Sequence, residues 1–300
     1  MSSKEERRIE IDRNVTHLDG LNTMELLVEC FKKNEEAREL YRNKEFEKAF
    51  ALFHEAATFG YPTAVFNTGL CYITGNGIEQ DRAKGFQYIR KAANLEVEEA
   101  LHTLASCYFY GIGTGQNDSL AIEYYKLSAE KGYAKSQAML AGFHLTGHIV
   151  EQDSTEAYRL YSLAAVNGEP TALYQMAEYY AAADSLAGLS KRKLRRQPAI
   201  EYYKQAAEKG NVYAQYRLGC FYETGYYVRR SKKQAFKWFR NAANKSHPQA
   251  IERVAYYYEK GIGTDKDETA AAHWYRIARE QGSTLAKEKM EWYEIFRFFE

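Results

Sequence analysis

Seven histidines and four cysteines give this chain its main capacity for metal binding and acid–base chemistry. His144 and His148 lie four positions apart, which is the spacing of two zinc ligands on one helical face. Gly147 between them predicts that the helix ends before His148, and neither an HExxH motif nor a third suitably spaced ligand accompanies the pair. The cysteines, which include no CxxC pair, are Cys30, Cys71, Cys107 and Cys220. The sequence therefore predicts no metal site.

The segment Gly111-Ile-Gly113-Thr-Gly115 has the glycine spacing of a phosphate-binding loop. Such a loop follows a strand and opens a helix. Here a helical pattern precedes the glycines, and similar glycine pairs recur at Gly75-Asn-Gly77 and Gly261-Ile-Gly263, which indicates a structural turn. The serines, histidines and carboxylates form no recognisable catalytic arrangement. We therefore expect a non-catalytic protein with no cofactor.

Small residues that recur every 36 positions divide most of the chain into repeats, and one repeat is six residues longer than the others. The recurring positions are Ala64, Ala100, Ser136, Ala172, Ala214, Ala250 and Ala286. Only Ser136 departs from alanine in this series. Such a chain is an array of one supersecondary unit, in which each unit buries its apolar face against its neighbours.

Each repeat has the pattern of two helices joined by a short glycine loop. In the repeat that begins at Ala100, apolar residues recur at the spacing of one helical face until Gly111 interrupts the pattern. A second apolar stripe follows Asp118, which we expect to cap the first turn of the second helix. The pattern predicts an all-α solenoid of helical hairpins.

Two segments carry a family resemblance. The string Ala214-Gln-Tyr-Arg-Leu-Gly-Cys-Phe-Tyr-Glu-Thr-Gly, followed by Ala235-Phe-Lys-Trp-Phe-Arg-Asn-Ala-Ala, resembles a Sel1-like repeat, and so does Tyr256-Tyr-Tyr-Glu-Lys-Gly-Ile-Gly-Thr-Asp-Lys-Asp. Six such units cover residues 64 to 285. The resemblance implies a right-handed α/α superhelix and a role as an adaptor or scaffold.

The predicted boundaries follow the repeat register. Residues 21–63 resemble a tetratricopeptide-like helical hairpin, because a tight turn replaces the glycine loop. The six Sel1-like repeats are predicted at 64–99, 100–135, 136–171, 172–213, 214–249 and 250–285. Residues 286–300 are predicted to form a capping helix, whose surplus aromatic residues leave self-association as an alternative. Residues 1–20 are charged and aperiodic, and we expect them to be disordered.

The overall composition restricts the compartment and the class of partner. A net charge of +1 gives no general attraction to nucleic acid or to membranes. No apolar run approaches the roughly 18 residues of a membrane span, and the N-terminus lacks the pattern of a signal peptide. Unpaired cysteines fit a reducing compartment. We therefore expect a cytoplasmic protein, with a nucleocytoplasmic location as an alternative.

Basic residues concentrate in the lengthened repeat, where the segment 181–198 replaces the glycine loop, and in the equivalent loop of the next repeat. Because loops of adjacent repeats stack along one edge, they would form a basic edge. Its nine members are Lys191, Arg192, Lys193, Arg195, Arg196, Arg229, Arg230, Lys232 and Lys233. The candidate ligands are an acidic protein segment, anionic lipid head groups or a nuclear import receptor, and the alternative is a merely solvated loop.

The inner face of the first helices is the second candidate surface. At 100° per residue, the third and seventh positions of these helices point away from the buried stripe. The predicted groove residues there are Phe66, Leu70, His102, Ser106, Tyr174, Glu178, Tyr216, Glu252 and Tyr256. Their variability suits the recognition of an extended peptide or helix, although the aromatic members would alternatively pack between repeats.

The predicted function is a scaffold that binds a partner protein along this groove and the basic edge. A regulatory subunit of an enzyme complex is an alternative. Another is an adaptor similar to the megalin-binding Sel1-repeat protein, because the run from Asp267 to Tyr275 resembles the last repeat of that family.

Overall fold

The computed structural model describes residues 23–187 and 197–296, with side chains described as far as residue 290. Within these ranges all regular structure is α-helical and no strand occurs, which confirms the predicted all-α fold. The fifteen helices are α1 (Thr23–Arg42), α2 (Phe46–Thr58), α3 (Pro62–Thr74), α4 (Arg82–Asn94), α5 (Glu98–Tyr110), α6 (Asp118–Glu130), α7 (Ala134–Thr146), α8 (Ser154–Val166), α9 (Pro170–Leu186), α10 (Pro198–Glu208), α11 (Val212–Thr224), α12 (Lys232–Ala243), α13 (Pro248–Lys260), α14 (Glu268–Glu280) and α15 (Thr284–Phe296). The expected disorder of residues 1–20 and five members of the basic edge, Lys191, Arg192, Lys193, Arg195 and Arg196, lie outside the described residues.

The helices form two compact units. The first unit ends at Gln152 and contains α1 to α7, and the second begins at Asp153 and contains α8 to α15. Within each unit every helix packs against the helices that precede and follow it in sequence. None of the described helices combines the length and apolarity needed to cross a membrane.

The helix starts follow from side-chain caps. Asn117 has an extended backbone, and its side-chain oxygen accepts a hydrogen bond from the Leu120 amide at 3.0 Å. It therefore satisfies one of the amides left unpaired at the start of α6. The prediction that Asp118 is this cap was wrong by one residue, because Asp118 already belongs to the first turn.

The glycine loops fix the contact between successive repeats. Gly111 ends α5 in the left-handed conformation, with φ of 67°. Gly113 has φ of 69° and lies so close to the first turn of α4 that a Cβ atom there would overlap the Arg82 carbonyl group. The loop of one repeat therefore rests on the second helix of the preceding repeat, which confirms that these glycines form a structural turn.

The lengthened repeat differs from the predicted loop. Helix α9 continues to Leu186, so the part of the predicted loop from 181 to 186 is helical. Ala183 stands where the other repeats have the helix-ending glycine, and alanine favours continuation of the helix. The extension places Asp184 in the interior, at 7% exposure, where its carboxylate accepts a hydrogen bond from the Tyr227 hydroxyl at 2.8 Å.

The repeat register marks the core. The six recurring alanines and Ser136 are all 0% exposed. Small side chains at these places allow the helices to approach closely. Cys71 and Cys107, at the same place in successive repeats, are each 1% exposed, and burial raises the pKa of both thiols to about 11. They are therefore packing residues without thiolate reactivity at neutral pH.

Candidate partner-binding surfaces

The predicted groove positions are mostly half-buried. Tyr256 is the most open of them, at 40% exposure, and the other eight are intermediate in burial. Phe66 and Leu70 pack against the core of the first unit. The polar and aromatic members mainly contact neighbouring helices, so much of this face joins the repeats to one another.

In the first unit, a chain of polar groups replaces part of the apolar packing. His102 Nδ1 lies 2.8 Å from Ser136 Oγ, and the Ser136 hydroxyl donates a hydrogen bond of 2.8 Å to Ser128 Oγ. Ser128 and Ser136 are 0% exposed and stand where other repeats have alanine. A buried hydroxyl needs a hydrogen-bond partner, and His102 supplies one when Nδ1 carries the proton.

The surroundings of His102 keep its ring neutral. Burial, reinforced by the positive charge of Lys135, lowers the pKa of His102 to about 4. The ring also lies against two tyrosines, with centroid distances of 5.4 Å to Tyr125 and 5.3 Å to Tyr133. Sequence reasoning singled out Ser136 and His102 separately but missed their contact.

In the second unit, carboxylates link successive repeats. Glu178 accepts hydrogen bonds from the Tyr203 hydroxyl at 2.8 Å and from the Arg217 guanidinium, with both N–O distances 3.1 Å. Glu223 likewise accepts a hydrogen bond of 2.9 Å from the Tyr257 hydroxyl, and Arg253 lies 3.5 Å away.

The third link between repeats is formed by Glu259, whose pKa is strongly lowered. Glu259 accepts hydrogen bonds from the Tyr275 hydroxyl at 2.7 Å and from Lys289 at 3.0 Å, and Lys260 lies 2.8 Å away. Burial acts to raise its pKa, but the hydrogen bonds from Lys260, Tyr275 and Lys289 outweigh it and lower the pKa of Glu259 to about 2. The linking cations are Arg217, Arg253 and Lys289. Each lies three residues after a recurring alanine of the repeat register, namely Ala214, Ala250 or Ala286.

An aromatic cluster includes two predicted groove residues of the second unit. The Tyr216 ring stacks on His247, with centroids 4.4 Å apart, and the Tyr213 ring lies 5.7 Å from His247 and 5.8 Å from Tyr174. Tyr213 itself is 61% exposed, whereas His247 is 6% exposed. We call Tyr174, Tyr213, Tyr216 and His247 the aromatic cluster. In this cluster, the exposed Tyr213 ring rests on the more buried rings of Tyr174 and His247.

The described part of the basic edge extends onto a helix. Arg229, Arg230, Lys232 and Lys233 are all exposed, and Lys232 begins α12. Lys237 and Arg240 continue the cations along that helix, which contains no acidic residue. Sequence analysis missed these two, although Lys233, Lys237 and Arg240 have the spacing of one helical face. We call the six residues Arg229, Arg230, Lys232, Lys233, Lys237 and Arg240 the basic face.

The two histidines with zinc-like spacing do not share a helix. Helix α7 ends at Thr146, and Gly147 caps it in the left-handed conformation, so His144 lies within the helix and His148 after it. Across the described residues, no group of three or more histidine, cysteine or acidic side chains is arranged to hold a metal ion.

The family model of the Sel1 repeat matches most of the chain. The matched residues are 40–60, 62–97, 98–133, 134–168, 170–211, 212–247 and 248–283. The chain belongs to the Sel1 repeat family. Six of these Sel1 repeats begin two residues before the boundaries predicted from the recurring alanines, because each match includes the first turn of its first helix.

The remaining Sel1 match, 40–60, covers α2 within the region predicted to be tetratricopeptide-like, and that finer assignment stays a prediction. Comparison with curated proteins gives no significant match.

Solved structures of Sel1 repeat proteins resemble this chain. A Sel1 repeat protein from Oxalobacter formigenes is 27% identical, with a TM-score of 0.69, over 82% of this chain and 99% of that one. A protective antigen of uropathogenic Escherichia coli with an SLR fold is 25% identical, with a TM-score of 0.62, over 90% of this chain and 59% of the antigen. Sel1 repeat proteins are generally scaffolds for protein interactions.

Proposed function

We propose that this Sel1 repeat protein is a non-catalytic scaffold that holds partner proteins through open aromatic residues on the inner face and through the basic face. The observation that carries the proposal is the aromatic cluster. Its base is fixed by ring contacts, and Tyr213 remains 61% exposed. A tyrosine held in this way offers a large contact area at a small entropic cost, which is typical of residues that dominate binding energy.

The paired polar groups around this cluster support the same function. The Glu178 carboxylate is already bonded to Tyr203 and Arg217. A partner would therefore meet a surface whose charges are satisfied within the scaffold, and shape and aromatic contact would decide its affinity. This arrangement supports recognition of a protein rather than transformation of a substrate.

Affinity capture with quantitative mass spectrometry tests the proposal. Tyr213→Ala should lower the captured amount of a defined set of proteins about tenfold or more. Truncation of a central aromatic contact typically costs roughly 1 to 2 kcal/mol of binding free energy or more. Tyr110→Ala is the matched control, since Tyr110 is 62% exposed and lies in the first unit. Circular dichroism should show both variants folded. A capture profile that is identical for Tyr213→Ala and the wild type would refute the proposed site.

A further inference from the structure

We propose that the basic face binds an acidic polypeptide segment, which lies in the cleft between α12 and the loop that follows α13. This inference rests on the proposed partner-binding function and adds the chemistry of one partner. The cleft has a volume of about 740 Å³. Its lining residues are Lys233, Gln234, Phe236, Lys237, Arg240, Gly263, Thr264 and Asp265.

The charge of this face is not compensated within the protein. In the described part of the chain, no member of the basic face forms an ion pair with a carboxylate, whereas many other surface cations do, including Lys33, Arg159 and Arg217. Six cations within residues 229–240 repel one another. An acidic ligand would relieve that repulsion, so the face is selective for negative charge.

Two of the cations are held in place by aromatic rings. The Lys237 ammonium lies 5.6 Å from the centre of the Trp238 ring, and the Arg240 guanidinium lies 5.7 Å from the centre of the Phe236 ring. Cation–π contacts restrict the side chains without using a carboxylate partner. Binding therefore has a lower entropic cost than it would with freely rotating lysines and arginines.

The spacing of the cations suits a polypeptide. At about 1.5 Å per residue, Lys233 and Lys237 are separated by roughly 6 Å along α12, and Lys237 and Arg240 by roughly 4.5 Å. In an extended peptide, alternate side chains lie roughly 6.6 Å apart on one face. Acidic residues at alternate positions would therefore reach successive cations of the cleft.

The wall of the cleft opposite α12 favours a ligand with separate carboxylates, such as a peptide, over a ligand with a continuous row of phosphates. Gly263 has φ of 71° and packs so tightly on the start of α12 that a Cβ atom would overlap the Lys232 carbonyl group, so the wall is fixed. That wall carries the Asp265 carboxylate, which would repel a phosphate backbone that ran through the cleft. A peptide can place a neutral residue opposite Asp265, whereas nucleic acid carries a charge at every nucleotide.

Fluorescence anisotropy with a labelled peptide of alternating glutamate and glycine tests the inference. The test variant carries Lys233→Gln, Lys237→Gln and Arg240→Gln. The control carries Arg82→Gln, Lys84→Gln and Arg90→Gln, which make the same change of charge on α4, the equivalent helix of the first unit. In that helix, Lys84 lies over the Tyr72 ring and Arg90 lies 5.9 Å from the centre of the Phe86 ring, so the control matches the test residues both in charge and in cation–π contacts and differs from them in its place in the fold.

We expect the test variant to bind the peptide about tenfold more weakly than the wild type, and the control to bind it as the wild type does. Wild-type binding should weaken as salt is added. An equal loss in both variants, or no binding by the wild type, would overturn the inference. Tighter binding of oligothymidylate or of phosphatidylserine vesicles would also overturn it, in favour of nucleic acid or lipid.

The two proposals fail separately. If proteins captured through Tyr213 persist with the triple variant while the peptide does not bind the wild type, the scaffold function stands and the acidic partner is wrong. If the peptide binds as expected but Tyr213→Ala changes no captured protein, the basic face is a binding site and the aromatic cluster is not.

Discussion

Replacing His102 with phenylalanine removes the imidazole that closes the chain of hydroxyls from Ser136 to Ser128. Phenylalanine should fit, because Phe66 occupies the same place in the preceding repeat and because the ring contacts with Tyr125 can persist. The variant therefore changes the hydrogen bond and the titration of this position more than its packing.

The size of the pH effect on stability follows from the pKa of His102. Burial lowers that pKa from 6.5 to about 4, so the unfolded chain binds a proton between these values that the folded chain does not bind. Stability due to neutral His102 is complete above pH 6.5 and falls as the pH drops towards about 4. At about 1.36 kcal/mol per pKa unit, the free energy of unfolding of the wild type decreases by up to about 3 kcal/mol through this residue.

Urea unfolding followed by circular dichroism, at about pH 7 and about pH 4, measures the effect. At neutral pH the variant should be less stable by about 1 kcal/mol, because Ser136 loses its donor. In acid the order should reverse, since His102 must charge in the wild type alone. Adding Ser136→Ala to the variant should restore stability at neutral pH, because it restores the alanine of the other repeats.

Two results would refute this reasoning. One is a His102 ring that titrates near 6.5 in the folded protein, as followed by its proton resonance. The other is a difference in stability between the wild type and His102→Phe that does not change with pH. Because both proteins carry the same carboxylates and Lys135, their difference isolates the contribution of His102.

Two further changes test the links between repeats. Glu259→Gln should lower the free energy of unfolding of the second unit by about 1 kcal/mol at neutral pH, because solvent screens much of the attraction to the half-exposed lysines. Because the folded pKa of Glu259 is about 2, this stability is present above its ordinary value of 4.5 and is lost as the pH falls towards 2, which tryptophan fluorescence during urea unfolding should report. Gly113→Ala should cost about 2 kcal/mol or more, since its Cβ would overlap the Arg82 carbonyl at a positive φ. Gly115→Ala is the matched control in thermal melts, because its Cβ would meet nothing within 4 Å, and equal melting temperatures for the two variants would contradict the account.

The repeat register predicted the fold because one helical hairpin recurs with the same small residues in the same places. It could not predict the end of α9, because the loss of a glycine at Ala183 signals a longer helix only when its continuation finds packing partners. Asp184 finds such a partner in Tyr227, which lies 43 residues away.

The polar contacts within the predicted surfaces were harder to foresee. His102 and Ser136 are separated by 34 residues, and their contact depends on how two helices cross. The cations Arg217, Arg253 and Lys289 follow the register. Glu223 and Glu259 also share one place in their repeats, but Glu178 lies at another, so one spacing describes two of the three pairs and misses the first. The sequence therefore located the half-buried face, but it did not show how many residues of that face form contacts between repeats.

Because of the carboxylate links, a repeat of the second unit offers different groups to its two neighbours. The Sel1 repeat at 212–247 carries Arg217 for the repeat before it and Glu223 for the repeat after it. A duplicate inserted behind it would keep each Glu223 opposite an arginine, but Phe221 of the copy would stand where Tyr257 donates its hydroxyl to Glu223. Gene duplication can therefore lengthen the second unit and keep its ion pairs, at the loss of one tyrosine hydrogen bond, whereas in the first unit a copy would also need the matched serines that accompany His102.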